Sequence, residues 1–122
     1  DSDLVTIMCA CADGTLADVP IRWKDGAAVC VVLASGGYPG HYDKGQEIHG
    51  LADAEAMGAL VFHAGTAMKD GKLVTNGGRV LGVVGRGADI SSAVDAAYAA
   101  AAKISFKDVY YRKDIAHRAL GR

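Results

Sequence analysis

The sequence predicts an α+β domain, mainly antiparallel β with one long helix packed on the sheet, on three observations. Asp70-Gly71 lies between β-rich stretches within Val61–Gly85, and a two-residue hairpin turn needs the positive φ that Gly and Asp tolerate. Ala27–Ala34 reads Ala-Ala-Val-Cys-Val-Val-Leu-Ala, apolar throughout, the pattern of a strand buried on both faces. Ile90, Ala93, Val94, Ala97, Tyr98, Ala101 and Ile104 hold a helical period over about four turns, and the many alanines imply close approach to a sheet. At 122 residues the chain has the size of one domain with a modest core.

In chain order, Leu4, Ile7, Met8 and Cys11 recur at one helix face, so a helix is expected over about Asp3 to Asp13, with Ser2 as N-cap and Gly14 as αL C-cap. That apolar face has no obvious partner in so short a chain, which opens without Met inside a helical pattern. The chain is therefore read as a fragment whose first helix packs on something upstream. Leu16–Pro20 reads as a connector, and Ile21–Lys24 as a strand joined to Ala27–Ala34 through Asp25-Gly26. Ser35–Tyr42, with three Gly and one Pro, is an irregular loop beside a buried strand, a frequent place for function. Glu47–Leu51 is a short strand candidate and Asp53–Met57 one helical turn. Within the hairpin, His63–Thr66 and Thr75–Arg79 interrupt the two arms at similar distances from the tip, so they should face each other across the ladder. Asp89 caps the alanine-rich helix, Val109–Arg112 reads as a last strand, and Ile115–Leu120 as a short terminal helix carrying Arg118 and Arg122.

Composition excludes several classes. A formal net charge of −1 gives no field favouring nucleic acid or an anionic membrane. No uncharged run approaches the ~20 residues of a membrane span, and Asp1 and Asp3 stand where a signal peptide would be basic. Cys9, Cys11 and Cys30 cannot all pair, which fits a reducing compartment, so a soluble cytoplasmic protein is expected.

Few residues carry a chemical signature. Cys9 and Cys11 at i and i+2 of a helix face apart, and no second Cys or His pair has ligand spacing, so no metal site is expected. His41, His49, His63 and His117 include no base with a nucleophile in a recognisable pattern, and no catalytic residue is assigned. His63 is singled out because it sits in the glycine interruption. Ala67-Met68-Lys69 near the hairpin tip is similar to the turn that carries biotin or lipoate. Asp70-Gly71 replaces the second Met, however, and a helix follows, so a solvated turn lysine accounts for it better. Gly77-Gly78-Arg79 admits two readings: an anion nest of free amides with a guanidinium fork, or a structural bulge whose Arg79 pairs with a surface carboxylate. Arg112-Lys113-Asp114 alone reads as a solvated ion-pair cluster.

Taken together, Val31–Gly40, Phe62–Thr66, Val74–Leu81 and Tyr111–Ile115 resemble the C-terminal domain of phosphoribosylamine–glycine ligase, also called glycinamide ribonucleotide synthetase. The likeness is strongest over Ala27–Leu120, and the four motifs fall in the family's order. The resemblance implies a rudimentary barrel-sandwich hybrid over residues 21–122, preceded in residues 1–20 by the end of an ATP-grasp domain. It implies an ATP-dependent ligase of purine biosynthesis that joins glycine to 5-phosphoribosylamine. ATP with Mg or Mn would be held mainly by upstream N-terminal and ATP-grasp domains. The family's metal-binding motif and ATP-binding strands do not occur in this sequence, so the chain alone is expected to be inactive. It would close the active site and help bind the phosphoribosyl substrate through Gly36, Gly37, Tyr38, Pro39, His63, Asn76, Gly77, Gly78 and Arg79, with Lys113 and Asp114 in support. The competing reading is a non-catalytic β module that binds a partner through Gly36–Tyr42.

Overall fold

The computed structural model describes residues 1–121, a mixed α/β arrangement with two open antiparallel sheets. Helix α1 spans Leu4–Asp13, and Gly14 closes it in the left-handed region at φ 71°. Asp3 rather than Ser2 is the N-cap, its carboxylate accepting from the Thr6 amide at 2.8 Å. Ser2 instead ties the segment Ile21–Lys24, since the Arg22 amide donates to its hydroxyl at 2.6 Å. That segment, expected as a strand, has no ladder partner among the described residues and stays irregular, with Trp23 exposed. The connector contains a single 3₁₀ turn, Leu16–Asp18. On α1 only Ala10 is buried, while Leu4, Val5 and Met8 are exposed.

Strand β1 (Ala27–Ala34) pairs with the edge of β5 (Arg79–Gly87), and β2 (Leu60–His63) pairs with β5's other edge, giving the order β1-β5-β2. Helix α3 (Ile90–Ala101) lies on one face of this sheet. Val29, Val31 and Leu33 of β1 alternate inward with Val83 and Leu81 of β5, and they meet Ala93, Ala97, Ala100 and Ala101 of the helix. The alanines bring helix and sheet together, as the sequence predicts. Asp89 caps α3 in a reciprocal capping box with Ser92, which offsets two otherwise orphan amide donors. The helix ends at Ala101, not at Ile104; a turn through Ala102 and Lys103 then folds Ile104 back into the core. Because α3 covers one face only, β1 is buried on one side and open on the other, against the expectation of a strand buried on both.

The arms of Val61–Gly85 divide into two ladders. The tip is β3 (Thr66–Lys69) against β4 (Lys72–Thr75), turned through Asp70 and Gly71 at φ 51° and 76°. The base is β2 against β5. Between them Gly65 and Gly77 lie back to back: a Cβ on Gly65 would sit 2.8 Å from the Gly77 Cα and 2.6 Å from the Arg79 carbonyl oxygen. The Asn76 amide donates to the Gly65 carbonyl at 2.7 Å, and the Val80 carbonyl accepts from both Ala64 and Gly65. The interruptions thus face each other as read from the sequence, because only glycine lets the backbones approach this closely.

Three short elements differ from expectation. Glu47–Leu51 makes only isolated bridges, Glu47 to Val74 and His49 to Ser105, before Leu51–Ala56 forms α2, earlier than the turn expected from Asp53. Val109–Arg112 contributes one bridge, Tyr110 to Ala34, and no strand. The terminal helix α4 is confined to His117–Leu120, because Ala116 at φ 64° cannot belong to it; Arg122 lies outside the described residues.

Four carboxylates sit below their ordinary pKa for identifiable reasons. The Thr6 and Ser92 amides hold Asp3 and Asp89 down, and hydrogen bonds from Lys72 and Arg112 do the same for Glu47 and Asp114. A depressed folded pKa stabilises above the ordinary carboxylate range and ceases to do so as pH falls through the folded value. Thermal stability should therefore be nearly level from about pH 7 to 5 and fall below about pH 4. Asp89→Asn should flatten that fall; identical acid profiles for the two chains would contradict the account.

Candidate functional site

The Ser35–Tyr42 loop leaves the end of β1 and is clamped onto the β4–β5 junction. The Ser35 amide donates to the Gly78 carbonyl at 2.8 Å, and its buried hydroxyl to the Gly77 carbonyl at 2.9 Å. Gly36 packs against Asp108, and Gly37 turns at φ 91° with its missing Cβ directed at the His41 carbonyl. The clamp lays the Tyr38 ring across Gly78, where any side chain would collide with it. Tyr42 meets Tyr38 edge-on, ring centres 6.1 Å apart.

Beside this contact opens a groove of about 570 Å³, floored by Val32, Phe62, Leu81 and Gly82 and rimmed by Tyr38, His63, Gly78 and Arg79. His63 is oriented by Thr66, Nδ1 lying 3.0 Å from the hydroxyl. Arg79 is exposed, and its guanidinium has no carboxylate partner among the described residues. The amides of Gly77 and Gly78 likewise donate to no other described residue. An unpaired guanidinium fork with free amides on the adjoining bulge is suited to an oxyanion such as a phosphate.

Four of the residues expected at a site, Tyr38, His63, Gly78 and Arg79, line this groove together. Gly36, Gly37 and Gly77 do not line it, Gly36 packing against Asp108, Gly37 against the His41 carbonyl and Gly77 against Gly65, and Pro39 lies in the loop without lining it. Asn76 borders another shallow concavity with Lys44 and Lys69. Asp114 lines a separate concavity of about 440 Å³ with Arg112, His117 and Arg118, and Lys113 lines neither. There Asp114 holds Arg112 through both carboxylate oxygens, at 2.8 and 2.6 Å, so this cluster is the ion pair its sequence predicts. Sequence reasoning missed Ser35 and the apolar floor. A serine ending an otherwise apolar run was the available signal for the clamp. No group of three His, Cys, Asp or Glu side chains among the described residues could hold a metal ion, so no metal-dependent step is assigned to them.

Fold and site together define a mixed α/β domain built on antiparallel strands, with an arginine at the rim of its groove. Residues 28–118 match the family described as phosphoribosylglycinamide synthetase, C domain, and the chain belongs to that family. It is 53% identical over 118 residues to a phosphoribosylamine–glycine ligase of Synechocystis, covering 96% of this chain and 28% of that protein. It is 52% identical to the trifunctional purine biosynthetic protein adenosine-3 of Gallus gallus, covering 98% of this chain and 12% of that one. The crystal structure of phosphoribosylamine–glycine ligase from Thermotoga maritima matches with a TM-score of 0.68 and 39% identity, over 88% of this chain and 27% of that one. The chain thus spans little more than a quarter of the single-function ligases it resembles.

Proposed function

We propose that this chain is the C-terminal part of a phosphoribosylamine–glycine ligase and that its groove holds the phosphoribosyl substrate. The observation that carries this is the likeness to such ligases along nearly the whole chain, 53% in the Synechocystis protein. In the reaction, ATP phosphorylates the glycine carboxylate and leaves as ADP. The amine of 5-phosphoribosylamine then attacks the acyl phosphate and expels inorganic phosphate, giving glycinamide ribonucleotide. The demand on this part is positional: a dianionic phosphate must be held so that the amine at the other end of the sugar reaches the acyl carbon. Arg79 supplies a paired-donor fork and the Gly77 and Gly78 amides the nest, with Tyr38 and His63 along the sugar.

In this reading residues 1–20 end the ATP-grasp domain and residues 21–122 form the C-terminal domain, its two sheets a rudimentary barrel-sandwich hybrid. Gly36 and Gly37 shape the loop that carries Tyr38, and Pro39, Asn76, Lys113 and Asp114, which lie outside the groove, are given no part in it. ATP and Mg or Mn bind upstream, glycine beside them, and the whole works in the cytoplasm without nucleic acid or membrane partners. No helix among the described residues is long and apolar enough to cross a membrane.

The test is glycine- and phosphoribosylamine-dependent ADP release by the chain alone, by the upstream portion alone and by their mixture. Release by the mixture only is the expected result. Parent-like release by the chain alone, or none by the intact longer polypeptide, would overturn the proposal.

A further inference from the structure

The groove beside Arg79 carries three polar side chains, Tyr38, His63 and Arg79, and no Asp or Glu among the described residues lines it. Arg79 is a permanent cation with no lone pair to give, and Tyr38 offers a hydroxyl. Only His63 has a ring nitrogen that can accept a proton and release it again.

Local structure leaves that ring one nitrogen for the groove. His63 ends β2 opposite Leu81, and the chain then turns through Ala64 and Gly65, both amides donating to the Val80 carbonyl. Close approach of Gly65 to Gly77 holds this turn in place. Thr66, at the start of β3 and paired with Thr75, comes back beside the imidazole, its hydroxyl 3.0 Å from Nδ1. With Nδ1 engaged, Nε2 is the nitrogen left to a ligand. Across the groove His63 meets Arg79 from β5 and Tyr38 from the Ser35–Tyr42 loop, while β3 brings it only the neutral Thr66, and no ion pair among the described residues includes it. Its ladder partner Leu81 lies two residues beyond Arg79 on β5, about 7 Å along the strand. A pentose spans a comparable distance from its phosphate ester to its anomeric carbon.

We propose that His63 is the general base of the ligation step, a role that rests on reading the chain as part of a phosphoribosylamine–glycine ligase. Nδ1–H donates to the Thr66 hydroxyl, so Nε2 presents its lone pair at the amine end of a phosphoribosylamine whose phosphate lies on Arg79. As the amine nitrogen attacks the carbonyl carbon of glycyl phosphate, a C–N bond forms and the nitrogen becomes positive. Until its extra proton leaves, the amine is itself a good leaving group and the adduct reverts. His63 Nε2 takes that proton; the bond from carbon to the phosphate oxygen then breaks, and inorganic phosphate departs with the electron pair. The imidazolium returns its proton to solvent once the product has left. Proton transfer to a positioned side chain accelerates such a step by about 10²- to 10⁴-fold.

The test is a single turnover of the full-length wild-type and His63→Gln proteins, which separates chemistry from product release. Glutamine keeps a hydrogen-bonding group in place but accepts no proton. Formation of glycinamide ribonucleotide should be about 100-fold slower in His63→Gln, with affinity for glycinamide ribonucleotide kept, the reverse of the split expected for Arg79→Ala. The wild-type rate should fall toward acid pH as the imidazole takes up a proton, and that limb should be missing from the variant. Thr66→Val removes the orienting hydroxyl while keeping the side chain's shape, and should slow the same step by about 10-fold or more; it decides the question where His63→Gln does not fold. Unchanged single-turnover rates would overturn the proposal. So would a loss of rate matched by an equal loss of affinity, which would make His63 a holding group only. A wild-type protein with no phosphoribosylamine-dependent ADP release would instead overturn the ligase reading.

Discussion

Gly85→Ala should lower the stability of this domain by about 3 kcal/mol, the upper range for overpacking a core with one methyl group. Gly85 is buried in β5 under α3, and its missing Cβ would point into the helix backbone, 2.6 Å from the Ala93 carbonyl oxygen and also against the Ala97 amide. Backbone cannot rotate aside as a side chain can. The helix must therefore lift from the sheet, and Ala93, Ala97, Ala100 and Ala101 lose contact with Val31, Leu33 and Val83 together. In a domain of this size the melting temperature should fall by about 10 °C or more. Gly82→Ala is the matched control on the same strand. Its new methyl would meet only the Cys30 sulfur at 3.3 Å and the Phe62 Cβ at 4.0 Å, on the face α3 does not cover. Its effect should stay below about 1 kcal/mol. Equal melting temperatures for the two variants would contradict the account of how helix and sheet are joined.

Arg79→Ala in the full-length enzyme should raise the KM for phosphoribosylamine about 10-fold or more, matching the loss of a charged hydrogen bond of about 1.5 to 3 kcal/mol. The value of kcat should change far less, because the phosphate is bound alike in the ground and transition states. Arg79 carries no ion pair among the described residues, so its removal strands none of their carboxylates and the KM reports ligand binding. Arg112→Ala is the contrasting case, since it abandons Asp114, whose pKa the guanidinium holds down. It should alter acid stability more than phosphoribosylamine binding. An unchanged KM for Arg79→Ala would refute the assignment of the groove.

The elements whose causes are local were legible in the sequence. The Asp70-Gly71 turn, the Asp89 cap, the Gly14 stop and the alanine face of α3 each follow from a few neighbouring residues, and the structure has them all. What was not legible depends on a partner elsewhere. Ile21–Lys24 has strand-like residues but no ladder to join, and Val109–Arg112 finds one bridge at Ala34. The continuous apolar run of β1 correctly announced a strand but not which face would be covered. The site divides in the same way. Gly77-Gly78-Arg79 was visible as a candidate nest, yet whether Arg79 or Arg112 was the unpaired guanidinium depended on which carboxylate each could reach. The apolar floor of Val32, Phe62 and Gly82 is assembled across three strands by register, and no single stretch of sequence displays it.

The central claim is that the groove beside Arg79 holds the phosphate end of the phosphoribosyl substrate. Equilibrium binding tests it most directly, because a KM equals a dissociation constant only when chemistry is slow. The measurement is titration of the wild-type and Arg79→Ala full-length proteins with glycinamide ribonucleotide, the product that keeps the same phosphoribosyl group. The account predicts affinity about 10-fold or more weaker for the variant, with ATP affinity unchanged. Equal affinity of the two proteins for glycinamide ribonucleotide would place the phosphate elsewhere and contradict it.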